Sequence, residues 1–111
     1  MLNENKKVTL YWESVCPDCL EIKNLLDEAN IKFISKCITV DTVNNPQDKM
    51  VNTNNRWEFH DFSNQYPEKF KLSPVIVVED DEFNFEFVSA GYHFDTPKEA
   101  LTLVEDFVVY K

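Results

Sequence analysis

The sequence predicts an α/β fold in which a four-stranded mixed sheet carries helices on both faces. An apolar strand, an amphipathic helix and a second apolar strand follow one another over residues 8–40. Strands joined by a helix in this way pair in parallel, as a βαβ unit. Two further apolar segments, 72–78 and 83–88, lie on either side of a short acidic turn and favour a hairpin. A final helix follows, which completes a ββα unit.

A pair of cysteines separates the first strand from the first helix. Residues 8–12 are mostly apolar or β-prone, which predicts a strand covered on both faces. In Cys16-Pro17-Asp18-Cys19 the fixed φ of proline suits a first helical position, so Cys16 is the predicted N-cap. The helix should run to about Ala29 and end at Asn30. Its core stripe has helical spacing: Ile22, Leu25, Leu26 and Ala29.

A second strand and more helix are predicted in the middle of the chain. Residues 31–40 suit the strand, and Asn45-Pro46 supplies an N-cap and a first helical residue. The polar run 52–55 favours two short helices over one between residues 47 and 66. Three aromatic residues in this segment are expected to pack in the core, with a substrate-facing patch as the alternative: Trp57, Phe59 and Phe62.

The C-terminal part is predicted to form the hairpin and the last helix. Residues 72–78 make a strand with Pro74 near its start, because proline cannot donate a hydrogen bond inside a sheet. Residues 79–82 make the turn, and the alternation in 83–88 favours a paired strand. Gly91 should lie at a bend. Thr96-Pro97-Lys98-Glu99 predicts a capping box, followed by a core-facing helix surface: Ala100, Leu101, Val104, Phe107 and Val108.

Composition limits the classes of function. At 111 residues, one domain spanning 1–111 is expected, and a hydrophobic content of 43% argues against disorder. A net charge of −9 disfavours nucleic acid and membrane partners. No apolar run approaches the roughly 20 residues that span a bilayer, and no segment resembles a signal peptide. We therefore expect a cytoplasmic protein, and a monomer.

Cys16 and Cys19 are the candidate catalytic residues. At this spacing on one helix their sulfur atoms are close enough to form a disulfide and to open it again. The N–H groups and the dipole of the helix N-terminus favour a thiolate at Cys16, and the thiolate is the nucleophile in disulfide exchange. The carboxylate of Asp18 opposes that thiolate or serves to stabilise the helix, and both roles stay open. The geometry predicts a redox site.

Three features together resemble the thioredoxin superfamily, and most closely the glutaredoxins, over essentially the whole chain. They are the Cys-Pro-Asp-Cys motif after the first strand, Ser73-Pro74-Val75 at the start of the third strand, and the hairpin followed by Gly91. The resemblance implies a thioredoxin fold and a thiol-disulfide oxidoreductase. It also implies that Pro74 is cis.

The resemblance assigns roles to residues. Cys16 would attack a substrate disulfide, and Cys19 would then release the reduced product from the mixed disulfide. Ser73 and Pro74 would pair with the substrate backbone like an added strand, with Pro17 and Asp18 beside them in the substrate-binding surface.

Glutaredoxins hold glutathione with a lysine shortly before the first cysteine and with a Gly-Gly before the last helix. This chain has Glu13 and Ser14 at the first place. At the second it has Gly91, then Asp95 and Thr96, which are its candidate substrate-binding residues. The expected substrate is a protein disulfide or a glutathione mixed disulfide. Glutathione, as cosubstrate, or a partner reductase would supply electrons, and no bound cofactor is expected.

Two other classes of function stay open. One is a non-catalytic thioredoxin-fold binding module, and the other is a metal or iron–sulfur carrier that uses the same cysteines. A structural zinc site usually needs four ligands, and the remaining candidates stand singly in the sequence, so no metal site is predicted. Cys37 is expected to be a small buried residue, with a regulatory thiol as the alternative. His60 should lie on the surface, and His93 near the rim of the redox site.

Overall fold

Seven elements make up the computed structural model, which describes residues 6–69 and 73–108. The elements are β1 (Lys6–Trp12), α1 (Pro17–Glu28), β2 (Ile34–Cys37), α2 (Pro46–Gln65), β3 (Val75–Asp80), β4 (Phe85–Ser89) and α3 (Pro97–Val108). The strands form a single sheet in the order β2-β1-β3-β4. β1 is parallel to β2, whereas β1–β3 and β3–β4 are antiparallel. The predicted four-stranded mixed sheet is confirmed.

Helices cover both faces of this sheet, as predicted. On one face, Leu26 of α1 and Val104 of α3 pack against Leu10 of β1. On the other face, Phe59 of α2 packs against Tyr11. Successive β1 side chains point to opposite faces, so one strand serves two cores. Within the described residues, no helix is both long and apolar enough to cross a membrane.

Both predicted ends of α1 and the predicted start of α3 are confirmed. Cys16 is the N-cap of α1, and Asn30 follows its C-cap with φ of 59°. Asparagine tolerates this left-handed conformation better than most residues. At the start of α3, the Thr96 hydroxyl accepts from the Glu99 N–H at 3.3 Å, and the Glu99 carboxylate accepts from the Thr96 N–H at 3.1 Å. This is the reciprocal capping box that the sequence predicts.

The expected break within residues 52–55 is wrong, because α2 is one helix of 20 residues. Its N-cap, Asn45, is as predicted. The polar side chains face the edge strand β2. Asn52 donates to the carbonyl of Thr39 at 2.8 Å, and Asn55 donates to the carbonyl of Cys37 at 3.0 Å. An edge strand leaves backbone groups without sheet partners, and these two amides satisfy such groups.

Removing one of these amides should weaken the docking of α2. We expect Asn55→Ala to lower the free energy of unfolding by about 1 kcal/mol relative to Asn54→Ala, since the Cys37 carbonyl loses its donor. Asn54 is an exposed neighbour on the same helix, so both variants gain the same helix propensity and their difference isolates the hydrogen bond. Urea unfolding measures both. Equal stabilities would contradict this account of the polar run.

β2 is shorter than the predicted 31–40. Before it, the Ile31 N–H still donates to the Leu26 carbonyl, so this residue belongs to the end of α1. After it, the Ile38 N–H donates to the carbonyl of Trp12, the last residue of β1. Parallel pairing is therefore limited by the helix end on one side and by the length of β1 on the other.

The hairpin turn lies two residues later than predicted. Residues 79 and 80 continue β3, and β4 begins at Phe85 instead of residue 83. Asp80 closes the turn, because its carboxylate accepts from the N–H groups of Glu82 and Asn84, both at 2.9 Å. Phe83 has φ of 63° and is 77% exposed, so it is a turn residue. Leu72, at the start of the predicted third strand, lies outside the described residues.

A polar contact links α2 to the sheet within the second core. Tyr11 donates its hydroxyl to Glu58, and Lys36 pairs with the same carboxylate at 2.5 Å. Burial, with the hydrogen bond to Glu58, raises the pKa of Tyr11 well above its ordinary value. Partial burial acts to raise the pKa of Glu58, but the hydrogen bonds from Lys36 and Tyr11 outweigh it and hold that pKa below its usual value. The tyrosine thus stays protonated and the carboxylate charged.

Candidate active site around Cys16 and Cys19

One end of the sheet brings together the segments that carry the predicted site. Trp12, at the end of β1, lies opposite Cys37, at the end of β2. Val75, the first residue of β3, pairs with Ser89, the last residue of β4. The loops that leave this end of the sheet therefore contain Cys16, Pro74 and Gly91.

The two cysteines occupy the first turn of α1. Cys16 is the partly exposed N-cap, and its sulfur accepts a hydrogen bond from the Cys19 N–H at 3.2 Å. Cys19 is buried in the core side of the helix. Both thiols are free. A sulfur that reaches the solvent and a second, buried sulfur one turn away are the arrangement that stepwise disulfide exchange needs.

The two thiols differ in environment. Burial, and then the hydrogen bond with Cys16, raises the pKa of the Cys19 thiol to about 12. A backbone hydrogen bond from Glu13 acts in the opposite direction but does not outweigh them. Cys19 is therefore a protonated, poorly nucleophilic thiol at neutral pH.

Alkylation should report this difference directly. In a Cys37→Ser background at pH 7.5, we expect iodoacetamide to modify Cys16 and to leave Cys19 intact, because the reagent needs an accessible thiolate. In Cys16→Ser/Cys37→Ser, burial, the largest cause of the raised pKa, remains, so Cys19 should stay unmodified at pH 7.5 until the chain is unfolded in urea. Mass spectrometry after digestion measures each site. Fast labelling of Cys19 in the folded double variant would overturn this assignment of environments.

A long-range contact joins the cysteine loop to the loop before β3. The Ser73 hydroxyl donates to the Glu13 carboxylate at 2.7 Å, and the Glu13 carbonyl accepts from the Cys16 N–H at 3.3 Å. The Ser73–Pro74 peptide bond is cis, and the Pro74 carbonyl accepts from the Ala90 N–H. Sequence reasoning missed the role of Glu13, since nothing in the sequence pairs two residues 60 positions apart.

The other predicted site residues lie at this same end of the sheet and differ in exposure, backbone conformation and hydrogen bonding. Pro17, Asp18 and Asp95 are exposed. Gly91 has φ of 79°, a conformation that suits glycine, and lies at the predicted bend. Thr96 is already engaged in the capping box of α3.

The two histidines, the aromatic residues of α2 and Cys37 lie in three kinds of environment. The ring of His93 lies against Ser89, with Nδ1 2.9 Å from its hydroxyl, and His60 is exposed. Phe59 and Phe62 pack in the second core as expected, but Trp57 is 66% exposed on the outer side of α2. Cys37 is partly exposed, so the expectation of a buried residue is wrong. Residues 6–69 and 73–108 contain no group of three or more histidine, cysteine or acidic side chains that could hold a metal ion.

Three features together identify the architecture. They are the order and directions of the strands, the Cys-x-x-Cys motif at the start of α1 and the cis proline before β3. The chain has a thioredoxin fold. The expectation drawn from the sequence resemblance is confirmed at the level of fold.

The solved structures to which the chain is similar include a glutaredoxin and a thioredoxin. Glutaredoxin 1 from Francisella tularensis, complexed with cacodylate, is 25% identical with a TM-score of 0.41, and the match covers 66% of this chain and 74% of that one. The pneumococcal exposed lipoprotein thioredoxin from Streptococcus pneumoniae strain TIGR4 is 13% identical with a TM-score of 0.46, and the match covers 95% and 87%. No family model and no curated protein matches the sequence. The assignment of the fold rests on the chain's own topology.

Proposed function

We propose that this thioredoxin-fold protein is a glutaredoxin-like dithiol–disulfide oxidoreductase that acts in the cytoplasm without a bound cofactor. The observation that carries the proposal is the pair of free thiols in the first turn of α1, one partly exposed and the other buried. Cys16 is the nucleophile and Cys19 the resolving thiol.

The reaction balances as two exchanges. The Cys16 thiolate attacks one sulfur of the substrate disulfide, forms a mixed disulfide and releases the other sulfur as a thiolate, which takes a proton. Cys19 then loses its proton and attacks the Cys16 sulfur, so that a Cys16–Cys19 disulfide forms and the second substrate thiol leaves. The substrate gains two electrons and the protein loses two. Glutathione or a partner reductase returns them.

The high pKa of Cys19 fits a resolving role. A resolving thiol that stays protonated does not compete with Cys16 for the substrate. Pro17, Asp18, Ser73 and Pro74 form the surface that receives the substrate. Gly91, Asp95 and the backbone near Thr96 extend it along the sheet end.

The assay that tests this function measures NADPH consumption by the purified protein acting on a glutathione mixed disulfide, with glutathione and glutathione reductase. Cys16→Ser is the blank. We expect turnover on this substrate, or on insulin with dithiothreitol as reductant, and no turnover in the blank. A wild-type protein that is silent in both assays, or a blank as active as wild type, would overturn the proposal. The first result would favour a binding module that uses the same fold.

A further inference from the structure

Two apolar side chains stand in solvent on either side of Cys16. Val15 precedes it and is 79% exposed, and Leu20 is 48% exposed. Leu20 is four residues after Cys16 on α1, and its N–H donates to the Cys16 carbonyl, so both lie on one face of the first helical turn. Neither residue belongs to the two cores. Together with the exposed Pro17, they place apolar side chains before and after Cys16 along the chain, and these three residues are called the apolar strip.

Three carboxylates lie close to that strip in the sequence. Glu13, Asp18 and Glu21 fall within ten residues that contain no lysine, arginine or histidine. Asp18 and Glu21 are three residues apart on α1, which places them on one side of the helix. The nearest cation along α1, Lys23, is engaged over the Trp12 ring at 3.9 Å.

We propose that this surface docks a polypeptide whose reactive cysteine is flanked by basic residues and by an apolar side chain. The inference rests on the proposed oxidoreductase function and names its substrate class. The basic residues face Glu13, Asp18 and Glu21, while the apolar side chain covers Val15 and Leu20.

Charge and shape argue for this occupant over a small anion. A substrate that approaches Cys16 meets three carboxylates on a chain whose net charge is −9, so an anionic disulfide is repelled during approach and a cationic one is attracted. A small polar molecule has no apolar surface to bury against this strip. An apolar side chain of a polypeptide does, and its burial there favours binding. Both features favour the same partner.

The experiment compares three peptides of equal length. Each carries one cysteine as a mixed disulfide with 2-mercaptoethanol and one leucine four residues away, and the flanking positions are lysine, glutamine or glutamate. The measured quantity is the second-order rate of reduction by the full-length dithiol protein at about 20 mM and about 500 mM ionic strength. The neutral 2-hydroxyethyl disulfide serves as the reference for the intrinsic reactivity of Cys16.

At low ionic strength we expect the lysine peptide to react at least tenfold faster than the glutamate peptide. The ratio should fall toward one at high ionic strength, where the screening length is only a few ångströms. Glu13→Gln/Asp18→Asn/Glu21→Gln should reduce the low-salt ratio to below three. A variant with the same change in net charge, Asp27→Asn/Asp81→Asn/Glu82→Gln, removes exposed carboxylates at the end of α1 and in the β3–β4 turn, and should keep the ratio.

A further variant tests the role of the apolar strip. Leu20→Ala should slow the leucine-containing lysine peptide more than a version with alanine in place of leucine, and equal slowing of the two peptides would overturn the role of the strip.

Two failures can be told apart. If the protein does not reduce 2-hydroxyethyl disulfide or any peptide, the proposed function fails. If it reduces 2-hydroxyethyl disulfide but treats lysine and glutamate peptides alike, or if both triple variants change the ratio equally, the function stands and the docking inference is overturned.

Discussion

Cys16→Ser is expected to abolish disulfide reduction, and Cys19→Ser is expected to stop the reaction at a covalent adduct with the substrate. Serine keeps the size of the side chain but removes the sulfur nucleophile. Without Cys16, the remaining thiol of the pair is buried and protonated and cannot reach a substrate. Without Cys19, the partly exposed Cys16 still attacks, but nothing beside it releases the product.

Intact mass spectrometry under non-reducing conditions separates these cases. In a Cys37→Ser background and incubated with a peptide disulfide, Cys19→Ser should gain the mass of one peptide, and dithiothreitol should remove it. Cys16→Ser in the same background should gain none. Cys37→Ser is the matched control, since this partly exposed thiol lies outside the motif, and it should turn over like wild type. An adduct that forms on Cys16→Ser but not on Cys19→Ser would exchange the two roles.

Features of the fold that depend on neighbouring residues follow from the sequence. A capping box needs only a threonine and a glutamate three residues apart, and the α3 start contains both in working geometry. The Cys16 N-cap and the following proline define the start of α1 in the same way. The mostly apolar runs in β1 and β3 predict strands covered on both faces, so the presence of helices on both sides of the sheet also follows.

Features that depend on partners distant in sequence do not follow from it. The run at 52–55 resembles a helix break because asparagine competes with the helical backbone, and only the nearby edge of β2 provides the carbonyls that make it favourable within α2. Asp80 resembles a turn residue and instead ends β3, because it pairs with Lys6 at the start of β1. In both cases the residue type alone suggests a break or a turn. The structure formed instead depends on a partner whose proximity the sequence does not show.

The candidate site likewise has one part that follows from the sequence and one part that does not. The spacing of Cys16 and Cys19 predicts that the two residues lie in one helical turn, and the structure places them there. The contact between Glu13 and Ser73 needs the antiparallel pairing of β1 with β3, which brings the loops at their adjacent ends together. The exposure of Leu20 on the helix that buries Leu26 likewise depends on which side of α1 meets the sheet.

The contrast between Leu20 and Leu26 on α1 predicts the largest effect of a substitution on stability. Leu26 is fully buried between α1, α3 and the sheet, so Leu26→Ala should lower the free energy of unfolding by about 2–5 kcal/mol, because burial is lost and a cavity is left. Leu20→Ala makes the same chemical change on the same helix at a half-exposed position, and should alter it by no more than about 0.5 kcal/mol. Urea unfolding at pH 7 measures both variants. Since α1 also carries the cysteine pair, equal costs for the two leucines would mean that α1 does not pack by the face the structure assigns to it.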